Sequence, residues 1–292
     1  MIEQELNFGG IPEKYTSKEK AKIVVLPVPY DGTSTWVKGA DKGPQAIIEA
    51  SGNMEIYDIE TDSEIHLLGI HTADPVLENK SPEDMTKAVY KEVKKLLGRN
   101  KFVVTIGGEH SISIGAIQAH AEKFTDLTII QIDAHADLRD EYLGSKYNHA
   151  CVMARAREFA PTVQIGIRSM SVEESFVTEP GRIFYARDIN QGETWKYDML
   201  SVLSNNVYIT FDLDALDPSI MPSTGTPEPG GLHWFEAIEI LRRISERSKI
   251  VGFDVVELCP NPASKASDFL AAKLIYKLLT YSFIDQIPKQ GK

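Results

Sequence analysis

The chain has 292 residues, 42% of them hydrophobic and 25% charged, the composition of a globular protein able to bury a large core. Its formal net charge of −11 argues against nucleic acid, whose phosphates need clustered Lys and Arg, and is compatible with a cationic small substrate drawn in by the protein's field.

In chain order, the opening MIEQELNFGG is acidic and lacks the basic and apolar segments of a secretory leader. Short β-rich runs then recur: KIVVLPVP (22–29), KFVVTIGG (101–108), LTIIQIDA (127–134), TVQIGIR (162–168), RIFYA (182–186), VYITFDLD (207–214) and IVGFDVVE (250–257). Most are continuously apolar rather than alternating, as expected of parallel strands covered on both faces, and all are far shorter than a membrane span. Between them, the spacing predicts helices over 81–100, 233–248 and 266–283. The first opens on a Ser cap followed by Pro and acids. The charged residues of these helices are expected on solvated faces. Strand–helix alternation predicts a three-layer α/β/α sandwich with a mostly parallel central sheet. No linker or composition shift divides it, so residues 1–292 are read as a single domain. Cys151 and Cys259 are widely separated, offer no disulfide framework and no CxxC zinc pair, and suit a reduced, cytoplasmic protein.

The polar residues cluster where these runs end: GGEH, DAHAD, DLDALD and DVVE each close an apolar strand. In open α/β sheets that edge forms the binding crevice. Asp133, His135 and Asp137 are spaced two apart, as are Asp212 and Asp214, so on extended backbone the side chains of each set share a face. Burying them together repels like charges and strips their hydration, and a bound metal cancels that cost. With His110 the set numbers six, four carboxylates and two imidazoles, a donor set that suits Mn²⁺ or a similar divalent ion rather than a thiolate zinc site. Six side chains can hold two ions if some carboxylates bridge, and such a pair lowers the pKa of water enough to make a nucleophile. TIGGEHSIS does not read as a phosphate loop, because it lacks GxxxxGK[ST].

GGEHS, DAHAD and FDLDALDPSIMPSTGTPEPGG closely resemble the three signatures of the ureohydrolases, the family of arginase, agmatinase and their relatives. DGTSTWVKGADKGPQAI is similar to that family's N-terminal loop, FDVVELCP to its last strand and FLAAKLIYKLL to its last helix, so the resemblance covers nearly the whole chain. DAHADLRDEYLGSKYNHA looks most like agmatinases. The resemblance implies two Mn²⁺ per chain, one on His110, Asp133, Asp137 and Asp212 and the other on His135, Asp133, Asp212 and Asp214, with Asp133 and Asp212 bridging. It implies that His149 transfers protons, that Glu257 holds the substrate guanidinium, and that Thr226 lines the same pocket. It also implies an arginase-like fold and a homo-oligomer, a trimer or hexamer. Two departures are visible: Ala150 stands where the family usually has Gly, and PNPASKASD follows Glu257 where many members have an Asp.

The expected activity is hydrolysis of agmatine to urea and putrescine, within polyamine biosynthesis, with no nucleic-acid or membrane partner. The nearest alternative is a sister enzyme acting on arginine, a guanidino acid or aminopropyl-agmatine. Arginases resemble one another in a D-x-N and a following S-G-N-x-H that supply donors to the arginine carboxylate. Here Arg139 replaces that Asn, and no Ser-Gly-Asn precedes His149. Arg139 could pair with a substrate carboxylate, but pairing with Asp140 or Glu141 at the surface is the expectation. A two-metal phosphoesterase is a more distant alternative, disfavoured by the lack of a G-N-H-[DE] segment and of a Lys/Arg clamp. A non-catalytic guanidine-binding protein is disfavoured by the complete ligand set.

Overall fold

The structure, a computed structural model, describes residues 7–189, 192 and 194–288. Its strands are β1 (Ile23–Val28), β2 (Ile70–Thr72), β3 (Phe102–Gly107), β4 (Leu127–Ile132), β5 (Thr162–Ile167), β6 (Ile183–Tyr185), β7 (Asn206–Asp212) and β8 (Lys249–Val256). They form one eight-stranded sheet in the order β2-β1-β3-β8-β7-β4-β5-β6, and every neighbouring pair is parallel. Every residue of β1, β4 and β5 is buried, which is why their sequences read as unbroken apolar runs. The short edge strand β2 was not foreseen, since IHT has no apolar run to mark it.

Helices cover both faces: α1 (Gly43–Ser51), α2 (Pro82–Gly98), α3 (Ser113–Lys123), α4 (Val152–Ala156), α5 (Val172–Ser175), α6 (Ala186–Ile189), α7 (Thr194–Ser201), α8 (Trp234–Arg247) and α9 (Ala266–Phe283). α2, α3 and α4 pack one after another on one side, while α1, α9, α8 and α7 do so on the other. The side chains of β1 show the pleat dividing the core. Val24, Leu26 and Val28 point into the α2/α3 side, Ile23 and Val25 into the α1/α9 side. α2 begins as expected, with the Ser81 hydroxyl accepting the Asp84 N–H at 3.0 Å and Pro82 at the first helical position.

One helix departs from expectation. α9 is buried on most of its circumference, and its Lys277 is not on a solvated face. Only 8% exposed, it pairs with Asp58 at 2.9 Å and with Glu60, both in the loop after α1. A buried ammonium persists only when paired, and this pair pins that loop onto α9.

The sheet order explains how motifs far apart in sequence meet. β3, β8, β7 and β4 are consecutive neighbours, so GGEH, Glu257, the Asp212/Asp214 pair and the Asp133 cluster leave the same edge side by side. The junction after β3 is tight. Gly108 N–H donates to Val28 O at 2.9 Å, Glu109 N–H to Tyr30 O at 2.8 Å, and Glu257 N–H to Gly108 O at 2.8 Å. A Cβ on Gly108 would lie 1.9 Å from the Tyr30 carbonyl oxygen, so only glycine fits.

Gly108→Ala is therefore expected to cost stability by about 1–3 kcal/mol, the range for overpacking, because backbone and not a flexible side chain must yield. Gly98→Ala is the control: nothing lies within 4 Å of its Cβ position at the end of α2, and better helix propensity should leave stability unchanged or raised by up to about 1 kcal/mol. Urea denaturation of the two variants checks both, and equal stabilities would contradict the close approach.

Candidate metal centre

The six residues singled out by spacing converge. Two groups have ligand atoms that all lie within 4.8 Å of one another: His110, Asp133 and Asp212, and then Asp133, His135 and Asp214. His110 Nδ1 is 2.9 Å from Asp137 Oδ2, 3.2 Å from Asp133 Oδ2 and 3.4 Å from Asp212 Oδ2. His135 Nδ1 is 3.0 Å from Asp214 Oδ2 and 3.7 Å from Asp133 Oδ1. Asp133 thus turns one oxygen to each imidazole, the orientation of a shared ligand. Asp212 faces His110 with Oδ2, while its Oδ1 accepts the Asp214 N–H at 2.8 Å. Asp137 reaches inward because its backbone adopts φ 51°, a left-handed conformation uncommon outside glycine.

The electrostatics are unresolved without a cation. Burial, reinforced by Asp214 and Asp133, pushes the Asp212 carboxyl well above the usual range. Burial and then Asp133 raise Asp137 to about 7. Burial would lower His135, but Asp214 and Asp133 outweigh it and raise the imidazole to about 12. Burial would likewise raise Asp133, yet hydrogen bonds with His110 and His135 hold it low. The buried His110 Nδ1 makes no well-directed hydrogen bond although three carboxylates surround it. An imidazole lone pair and carboxylate oxygens converging in this way fit divalent ions, and the all-oxygen-and-nitrogen donor set fits Mn²⁺ or a similar ion.

The cluster floors a pocket of about 300 Å³ that also reaches Glu257, His149, Thr226 and Arg139. Glu257, at φ 69°, bends back so that its Oε1 accepts the His110 N–H at 2.8 Å. Burial and then Glu109 push its carboxyl well above the usual range. His149 Nδ1 is 3.0 Å from Thr33 Oγ1, which also accepts the His149 N–H at 3.0 Å. Burial, followed by the neighbouring imidazoles of His110 and His135, lowers His149 to about 4. Thr226 is exposed on the rim. A larger cavity of about 680 Å³ lies at the opposite edge of the sheet among Lys22, Lys101, Arg247 and Lys249, remote from this chemistry.

Arg139 does not pair with its chain neighbours. Its Nη2 is 3.8 Å from Glu174 Oε2 and its guanidinium lies over the Tyr142 ring at 4.9 Å, on the pocket wall. Asp140 is taken instead by Arg155 at 2.5 Å and Lys146 at 3.3 Å. Ala150 is tolerated because it sits in a single helical turn, His149–Cys151, capped by Asn148, whose Oδ1 accepts the Ala150 N–H at 3.0 Å. Cys151 is fully buried, and burial raises its thiol to about 11, which suits packing rather than reactivity.

Several supporting residues had escaped attention. Gln131 Nε2 donates to Asp133 Oδ2 at 2.7 Å and to His135 O at 3.2 Å, and is itself held by Gln164. Arg168 Nη2 donates to the carbonyls of Asp214 and Glu228, both at 2.7 Å. Thr33 lies in the loop after β1, where no local pattern marks it as a partner of His149. The signal for Gln131 and Gln164 was there to read: a polar side chain inside an apolar strand must find a partner.

The sequence and the fold are similar to those of known proteins. A model of the arginase family matches residues 21–280. The chain is 40% identical over 280 residues to the N(1)-aminopropylagmatine ureohydrolase of Synechocystis sp., covering 92% of each chain. It is 36% identical over 267 residues to the agmatinase of Pyrococcus horikoshii, covering 90% of this chain and 92% of that one. The crystal structure of the agmatine ureohydrolase of Thermoplasma volcanium superposes with a TM-score of 0.85 at 31% identity, covering 96% of this chain and 95% of that one.

Replacing the residue common to both groups tests the cluster as a unit. Asp133→Asn removes a negative charge that both groups use, so the content of both ions should fall together in protein loaded with Mn²⁺ and measured by plasma emission. Retention of two ions per chain would rule out the shared position.

Proposed function

The chain belongs to the arginase family, and from that premise we propose that it is a ureohydrolase that releases urea from the agmatine skeleton, either free or carrying an N(1)-aminopropyl arm. The observation that carries this reading is Glu257, a carboxylate anchored to His110 N–H beside the six-ligand cluster at the floor of one pocket. A guanidinium is planar, cationic and a poor electrophile, so the reaction needs a partner for the cation, an activated water and a proton for the departing amine.

The family's binuclear centre would be held here by His110, Asp133, Asp137 and Asp212 on one side and by His135, Asp133, Asp212 and Asp214 on the other. When bound, the ions supply an activated water and positive charge for the developing anion. Glu257 would take the guanidinium through charge-assisted N–H contacts, its Oε2 remaining beside Oε1, which the His110 N–H holds. His149, held at Nδ1 by Thr33, keeps Nε2 for the pocket. That nitrogen would accept a proton and return it to the leaving amine. Thr226 would close the side of the pocket.

Two considerations bear on the substrate. Arg139 is already paired with Glu174 and stacked on Tyr142, so it offers an incoming carboxylate less than a free cation would. This supports an agmatine-type guanidine over arginine or a guanidino acid. Between agmatine and its aminopropyl derivative, the relatives at 40% and 39% identity are both N(1)-aminopropylagmatine ureohydrolases, while the agmatinase stands at 36%. We favour the extended substrate, with agmatine also cleaved.

Urea release across agmatine, N(1)-aminopropylagmatine, arginine and 4-guanidinobutyrate tests the proposal. The two agmatine compounds should give the highest kcat/KM, and a higher value for either acid would overturn the specificity. Glu257→Gln should keep its metal content and lose at least about tenfold in kcat/KM, since a hydrogen bond to a charged group contributes about 1.5–3 kcal/mol. His149→Ala should slow turnover by about 10²–10⁴-fold with metals retained. Wild-type rates in either variant would assign that residue a structural role only.

A further inference from the structure

Behind His110 lies a polar relay that takes no part in contacting substrate. We propose that Asp254, acting through Thr210, is a positioning residue that sets which nitrogen of His110 carries the proton, and so tunes the metal site at His110 and not the one at His135. The inference rests on the metal-centre reading above.

Asp254 is fully buried in the middle of β8, beside Thr210 of β7 in the sheet register. Its Oδ2 accepts the Tyr208 hydroxyl at 2.6 Å, and its Oδ1 accepts those of Thr210 at 2.7 Å and Ser113 at 2.9 Å. Thr210 Oγ1 is also 2.8 Å from His110 Nε2. A threonine hydroxyl has one hydrogen to give. Ser113 Oγ is a longer contact at 3.3 Å, so that hydrogen goes to the Asp254 carboxylate at 2.7 Å, and the contact with His110 must run the other way, with Nε2–H donating to Thr210. The proton is thereby kept on Nε2, and Nδ1 presents its lone pair to the space shared with Asp133, Asp137 and Asp212. Nδ1 is also the nitrogen left buried with no well-directed hydrogen bond, as a ligand atom should be.

Among the described residues the second imidazole has no such relay. His135 Nε2 is 4.0 Å from the carboxylate of the partly exposed Glu228, beyond hydrogen-bond reach. The two sites therefore differ in what fixes their histidine, and the relay should act on one of them only. Tyr208 and Ser113 reach the same carboxylate without touching His110. Substituting Tyr208 thus separates the general packing of Asp254 from its path to the ligand.

Mn²⁺ titrated calorimetrically into metal-free protein decides the matter without any activity measurement. Thr210→Val keeps the shape but cuts the relay, and Asp254→Asn removes its charged end. Each should weaken one of two equivalents by about 10–100-fold and leave the other unchanged, the usual effect of losing a partner behind a ligand. Thr210→Ser, which restores the hydroxyl, and Tyr208→Phe should both bind like wild type. The relay is overturned if Thr210→Val binds both ions with wild-type affinity, if both equivalents weaken equally, or if Tyr208→Phe is as damaging as Thr210→Val. Wild-type protein that takes up fewer than two ions would instead overturn the metal-centre reading beneath it.

Discussion

Four aspartates and two histidines are driven into one small volume at the sheet edge, and the rest of the architecture answers to that. Each ionised carboxylate taken from water costs several kcal/mol unless positive charge or directed donors replace its hydration. Protein donors meet part of the need. Gln131 holds Asp133, the Asp214 N–H holds Asp212, and Arg168 anchors the carbonyl of Asp214. What remains is a negative cavity in which burial pushes Asp212, Asp137 and Glu257 toward protonation, a strain that bound cations would relieve.

Bringing the six residues together requires a particular backbone. A parallel sheet with β7 and β8 seated between β3 and β4 sends four strand ends into one crevice. Glycine at position 108 lets the end of β3 approach the Tyr30 loop, and the left-handed residues Asp137 and Glu257 turn their carboxylates inward. Backbone conformations of this kind are retained where the surrounding structure enforces them, and here they carry proposed ligands and the proposed guanidinium partner.

Much of this was legible before any coordinates. Seven of the eight strands announced themselves, most of them because parallel strands buried on both faces are largely apolar. The cluster was foreshadowed because acids and histidines close four neighbouring apolar strands, which the sheet order brings to one edge. The misses have physical reasons too. α1 and α3 are rich in Ala, Gly, Ile and Ser and are buried on most sides, so neither shows a polar face to give it away. Lys277 follows the spacing of a surface residue, and only the loop bearing Asp58 and Glu60, more than two hundred residues earlier, makes it internal. Arg139 turns to Glu174 because Asp140 is claimed by Arg155 from the next helix, a competition no local pattern records. Thr33 and His149 lie 116 residues apart, and nothing in either segment foretells that one hydroxyl grips both ends of the histidine.

The proposed chemistry depends on the buried cluster being a two-ion centre spanned by Asp133. Anomalous diffraction from crystals grown with Mn²⁺ tests it most directly. Two peaks are expected, one bonded to His110 Nδ1 and the other to His135 Nδ1, with a carboxylate oxygen of Asp133 bonded to each. A single peak, or two peaks that do not share Asp133, would contradict it.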